Sequence, residues 1–170
     1  MIAKYYPEFL TVTCLNWIPL LSARENKEII INSLRFLVRE GRVKVSSFVL
    51  MENHFHLIWQ VMGEHKREDV QRDFLRFTAQ QILKQLRNFK SAMLKDLLVN
   101  AKDRKYKVWE RNSLSIELRS TQVFKQKLEY IHANPIRAGL CNLAEEYYYS
   151  SARFYELNDR NWDFLTHYED

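Results

Sequence analysis

Two strand-like runs, residues 43–51 (VKVSSFVLM) and 54–61 (HFHLIWQV), are separated by only Glu52 and Asn53. A connection that short joins antiparallel neighbours, because a parallel pair needs a crossover of a dozen or more residues. The chain therefore builds a sheet around a hairpin or tight meander, closed by Gly63. Upstream, residues 9–14 (FLTVTC) alternate and are rich in β-branched side chains, which predicts a first strand. Between them, Ile30, Leu34, Leu37 and Val38 share one face of a helix predicted over 24–39, with Ser22 as N-cap, Glu25 completing a capping box and Gly41 as its stop. Downstream, Val70, Phe74, Phe77, Ile82 and Leu86 predict a helix over 68–87. Residues 88–108 read as a helix end and a basic loop, and 109–118 as irregular or short strand. A last helix is predicted over 121–133 and ended by Pro135, since the residue before proline is pushed out of the α region. The order β-α-β-β-α-…-α defines an α+β fold, an antiparallel sheet with helices packed on one face.

The 170 residues suffice for one domain with its own core. We read a core over 9–152 and an aromatic, acidic tail over 153–170. No apolar run is long enough to span a bilayer, and two cysteines make no disulfide framework, so a reducing cytoplasmic location and no membrane partner are expected. The net charge of +5 is unevenly spread. Residues 66–111 hold 13 Lys and Arg against 6 Asp and Glu, while residues 145–170 hold 2 against 7. A basic centre beside an acidic end suggests a polyanion-binding face, although a basic protein of this size is as often merely soluble.

His54-Phe55-His56 lies on the predicted third strand, where alternate residues share a face. Both imidazoles then point the same way, a beginning for a divalent metal site. Taken alone, the pair is weak and matches no zinc spacing. The second feature is Tyr130-Ile131-His132-Ala133-Asn134-Pro135, in which Tyr130 and Asn134 are i and i+4. A tyrosine hydroxyl is a poor nucleophile unless its target is activated, and a metal on a phosphodiester does that. Together the two features make sense as a phosphodiester-cleaving site; singly, each has an ordinary structural reading.

Residues 50–58 (LMENHFHLI) resemble the HUH motif of single-tyrosine transposases, and residues 127–140 (KLEYIHANPIRAGL) resemble their tyrosine motif. With Tyr149-Ser150-Ser151 downstream, the pattern is similar to the REP-associated branch of insertion-sequence tyrosine transposases, and it extends from about residue 9 to 152. The resemblance implies a ferredoxin-like fold with the HUH motif on a central strand. It implies cleavage and rejoining of single-stranded DNA near hairpins through a 5′-phosphotyrosine. Carried over by position, Tyr130 is the nucleophile, His54 and His56 hold Mg²⁺ or Mn²⁺, and Asn134 is the third ligand. A homodimer is one arrangement the family uses. Glu52 stands where the family commonly has Pro or Ser, and Leu114 and Ser115 replace a His and Pro that many relatives carry after the Trp.

Lys66, Arg67, Arg72 and Arg76 on the second long helix, and Lys102, Arg104, Lys105 and Lys107 in the basic loop, are the candidate phosphate contacts. Each is alternatively a solvated charge. Trp109 is expected in the core, with base stacking as the alternative. Tyr147, Tyr148 and Tyr149 are rival nucleophiles without an i+4 polar partner. The competing readings are a domesticated, non-cleaving binder of hairpin DNA or RNA, a larger HUH replication initiator, and a plain RNA-binding ferredoxin-like domain.

Overall fold

The computed structural model describes residues 3–111 and 113–170, so Asn112, inside the stretch after Trp109, lies outside the described residues. Four strands, β1 (Glu8–Thr13), β2 (Val43–Leu50), β3 (His54–Val61) and β4 (Leu114–Glu117), form one antiparallel sheet in the order β2-β3-β1-β4. The helices are α1 (Arg24–Arg39), α2 (Arg67–Asn88), the single turn α3 (Met93–Asp96), α4 (Thr121–Arg137) and α5 (Ala152–Glu156). The expected hairpin is β2–β3, and the expected α+β architecture, with β3 in the interior of the sheet, is present.

Alternation divides the sheet into two chemically different faces. Leu10, Val12, Phe55, Leu57 and Trp59 point one way and are buried with Ile30, Leu34, Val70, Phe74 and Ile82 from α1 and α2. Each such side chain contributes about 1.5–3 kcal/mol on burial. Phe9, Val49 and Ile58 point the other way and pack on Leu118, Phe124, Leu128 and Ile131. The two long helices thus cover one face as expected, but α4 does not join them. It lies across the opposite face, because its apolar stripe matches the smaller cluster around Phe9 and Ile58.

Three further expectations are corrected. Ser22 does not cap α1; it ends a 3-10 turn over Leu20–Ser22, and Ala23 holds the N-cap position without a side-chain bond. The helix α4 is not ended before Pro135 but runs through it to Arg137. Proline this close to a C-terminus removes a single N–H late in the helix. The helix then closes through Gly139 (φ +72°), with Leu140 N–H on the Pro135 carbonyl (3.0 Å) and Gly139 N–H on the Ile136 carbonyl (2.9 Å). Finally, the segment 153–170 is not a tail outside the core: Phe154, Trp162, Phe164 and Leu165 are buried in the main cluster. Together with the residues just before it, this segment runs beside the outer strand β2, with bridges from Ser150 to Val49 and from Leu165 to Val45. Ser151 locks it there, accepting from Phe48 N–H (3.1 Å) and meeting Ser47 Oγ (2.8 Å) and His132 Nε2 (2.9 Å).

Candidate functional site

The cross-strand register places Thr13 opposite His54 and Thr11 opposite His56, all on the face that α4 covers. His54 is half-buried and His56 is 4% exposed, with ring centroids 5.0 Å apart. Each Nδ1 has a fixed partner: Asn53 Oδ1 at 2.8 Å for His54, and Thr11 Oγ1 at 2.8 Å for His56. Such second partners orient a metal-ligating imidazole and direct its Nε2 to the metal. The Nε2 of His56 is buried and has no hydrogen-bond partner among the described residues. A buried polar atom left unpaired is costly, and a metal ion is a partner that would satisfy it. Burial also pushes both imidazoles toward the neutral, ligating form. His56 is brought down to about 3 by burial first, then by the charges of His54, Arg137 and Lys127.

Tyr130 projects from α4 onto this pair, its ring centroid 5.3 Å from that of His56 and 5.8 Å from that of Phe9, both edge-on. It remains 40% exposed, so a large substrate can reach it. Asn134, one helical turn on, is buried, and because α4 continues past Pro135 the i,i+4 relation read from the sequence holds. Among the described residues no group of three or more His, Cys, Asp or Glu could hold a metal. A metal on the His pair would therefore draw its further ligands from other groups, and the buried Asn134 amide, one helical turn from Tyr130, offers a neutral oxygen. Two imidazoles and an amide carry no charge, which would leave the whole cationic charge for a phosphate.

Two cations missed by sequence reasoning frame the tyrosine. The Arg137 guanidinium lies 4.3 Å from the Tyr130 ring centroid and donates to the Tyr130 carbonyl (3.3 Å), and the Lys127 ammonium is 5.6 Å from the same ring. Their spacing, i−3 and i+7 from Tyr130, was the available signal. A third missed residue is Trp17, 60% exposed, whose ring is 5.8 Å from that of His54.

The other candidates are placed differently. Lys66, Arg67, Arg72 and Arg76 lie on or just before α2, which packs on the face opposite the histidines. Arg67 is taken up by Glu117 (2.8 Å) and Glu8 (3.4 Å), and Arg72 and Arg76 pair with Asp69 and Asp73 (2.8 and 3.3 Å). Arg104 pairs with Asp103, Lys107 stands 4.0 Å from Glu110, and Lys102 and Lys105 are exposed. Among the described residues, none of these eight makes a hydrogen bond, ion pair or ring contact with His54, His56 or Tyr130. Trp109 is core, donating to Leu75 carbonyl and Thr78 Oγ1 (both 3.2 Å). Tyr147 and Tyr149 are anchors: their hydroxyls donate to Leu50 carbonyl and Glu28 Oε1 (both 2.8 Å), and burial is the main reason both are pushed up to about 12.

A sheet of order β2-β3-β1-β4 with α1 and α2 on one face is the ferredoxin-like arrangement, here with an added helix on the other face carrying the tyrosine. The chain has the fold of a REP-associated tyrosine transposase solved with a REP hairpin bound: the two align over 90% of this chain and 82% of that one, with a TM-score of 0.63 and 15% identity. A Deinococcus radiodurans R1 protein described as a candidate transposase aligns over 75% of this chain and 89% of its own, at 13% identity and a TM-score of 0.49. No family model and no curated protein matches the sequence.

Proposed function

We propose that this protein is a tyrosine transposase that breaks and rejoins single-stranded DNA beside hairpins, in the cytoplasm, using Tyr130 and a divalent metal. The observation that carries the reading is the buried Nε2 of His56, unpartnered among the described residues, with the Tyr130 ring against it. The hairpin bound to the similarly folded transposase supports the choice of substrate.

In this reading His54 and His56 hold Mg²⁺ or Mn²⁺, with Asn134 as third ligand. When bound, the metal draws charge off a phosphoryl oxygen and makes phosphorus more electrophilic. The Tyr130 hydroxyl attacks phosphorus and loses its proton to solvent. The bond to the 3′-oxygen breaks, and that oxygen takes up a proton. The products are a 5′-phosphotyrosine and a free 3′-OH. Lys127 and Arg137 stabilise the charge that develops on the phosphoryl oxygens. Attack by a 3′-OH reverses the step, and the energy retained in the ester makes a nucleoside triphosphate unnecessary.

The test mixes the protein with labelled hairpin oligonucleotides carrying random single-stranded flanks, in Mn²⁺ or Mg²⁺, and resolves them on a denaturing gel. A metal-dependent shifted band, lost in Tyr130→Phe and in His54→Ala, is expected. Binding without an adduct in all three proteins would replace this reading with that of a non-cleaving hairpin binder.

A further inference from the structure

Trp17 combines exposure with a backbone conformation that a bulky side chain rarely adopts. It is a large apolar side chain left 60% exposed, and it sits in the left-handed backbone region (φ +57°) directly after Asn16 (φ +52°). Asn enters that region readily; a bulky aromatic does not. The conformation is nevertheless imposed from several sides. Trp17 N–H donates to Cys14 carbonyl (3.0 Å) and Asn16 N–H to Glu110 Oε1 (2.8 Å). The surrounding loop is tied to Val108 through Leu15 N–H (2.7 Å), and to the hairpin turn through Leu21 N–H on Glu52 carbonyl (2.8 Å). A strained residue held this firmly, with its ring outward, has no packing role that explains it, and strain of this kind gathers at functional sites.

Its place is informative. The ring contacts run Tyr130–His56–His54–Trp17, with centroid separations of 5.3, 5.0 and 5.8 Å. The register gives the row its direction: Tyr130 stands at the end near Phe9, and Trp17 follows β1 beyond the Thr13–His54 pair. Attack at phosphorus is in line, so the leaving oxygen lies on the side opposite the nucleophile. With Tyr130 at one end, the departing 3′-oxygen faces the other.

We propose that the indole of Trp17 is the stacking platform for the unpaired base of the nucleotide immediately 5′ of the scissile phosphate, a proposal that rests on the strand-breaking function above. Stacking on an aromatic is tolerant of base identity and strong. It would keep the 3′-OH strand in the site after the break, ready for rejoining.

Trp17 supplies its own readout, because Trp59, Trp109 and Trp162 are buried. The non-cleaving Tyr130→Phe protein is titrated with the random-flank hairpin pool in Mn²⁺, with binding followed by anisotropy of labelled DNA and exposure of Trp17 by iodide quenching. We expect DNA to shield the accessible emission. Adding Trp17→Ala should weaken binding roughly 5- to 150-fold, and Trp17→Phe should restore most of it. On a substrate whose break has been mapped by the adduct, an abasic site just 5′ of the break should weaken binding as much as Trp17→Ala does, and no further in that variant. An abasic site just 3′ should leave the contribution of Trp17 intact. Full affinity in Trp17→Ala, or iodide reaching the indole in the complex, overturns the proposal while adduct formation leaves the strand-breaking function standing; the reverse abasic pattern overturns the 5′ assignment. Absence of both adduct and binding overturns the function, and this proposal with it.

Discussion

Replacing Thr11 by Val deletes one hydroxyl from the site and little else. Valine is close in shape and suits a strand, so β1 keeps its register between β3 and β4. What disappears is the 2.8 Å bond between Thr11 Oγ1 and His56 Nδ1. For Nε2 to present a lone pair, Nδ1 must carry the proton and donate it to Oγ1; a hydroxyl serves either tautomer, so the threonine fixes the ring angle and supports the ligating tautomer. Two effects follow. In the metal-free protein both ring nitrogens of a 4% exposed imidazole are left without partners, which costs about 1–3 kcal/mol of stability. Metal affinity falls about 10- to 100-fold, as when other second partners are removed, equivalent to roughly 1.4–2.7 kcal/mol. Free Mn²⁺ measured by electron paramagnetic resonance gives the affinity, and urea unfolding with and without Mn²⁺ gives the stability. Thr11→Ser, which keeps the hydroxyl, should bind Mn²⁺ nearly as the wild type does. A folded Thr11→Val protein with wild-type affinity would refute the orientation argument. Equal weakness in Thr11→Ser would show that the methyl group, not the hydroxyl, matters.

Three further outcomes are expected. Ser151→Ala strands Phe48 N–H, Ser47 Oγ and His132 Nε2 in a dry site. At about 1 kcal/mol each this is roughly 3 kcal/mol, a melting temperature lower by about 6–12 °C, and a calorimetric shift under 2 °C would contradict it. Lys90 sits at φ +50° just past the end of α2, where its N–H meets Arg87 carbonyl (3.1 Å), and Lys90→Gly should raise the melting temperature by about 2–4 °C; a decrease would count against left-handed strain there. Burial brings His132 down to about 4, so between pH 6.5 and 4 the unfolded chain binds a proton that the folded one refuses. Stability should be complete above pH 6.5 and fall by up to about 1.4 kcal/mol per pH unit toward pH 4, with His54 and His56 adding in the same direction; urea midpoints that stay flat over this range would contradict it.

The strands and the two long helices were legible because their signals are local. Alternation with period two marks β1 to β3, and the stripe from Ile30 to Leu37 marks α1. The shared face of His54 and His56 followed from the same alternation. What was not legible depends on partners distant in sequence. Helix α4 passes Pro135 with Ile131 packed on the sheet and Asn134 and Pro135 themselves buried, so tertiary contact outweighs the local rule. The segment after Ser151 has no period, and its aromatic residues find their places only across β2. On α2 the arginines read as a free basic stripe, although Asp69 and Asp73 stand one turn from Arg72 and Arg76 and hold them in pairs. Trp17 gave no local signal, since exposure and a left-handed backbone are visible only in the folded chain.

The lock around Ser151 also orders events during synthesis. Tyr130 leaves the ribosome well before the residues that secure its helix, since Ser151 follows by 21 positions and Leu165 by 35. At about 5–20 residues per second, the nascent chain spends roughly 2–7 seconds with Tyr130 made and the segment that ties down α4 still missing. The candidate site of a growing chain is thus completed late, and a truncated translation product that stops before Ser151 keeps α4 over the histidines only through its packing on Phe9, Val49 and Ile58, without the bond from His132 to Ser151.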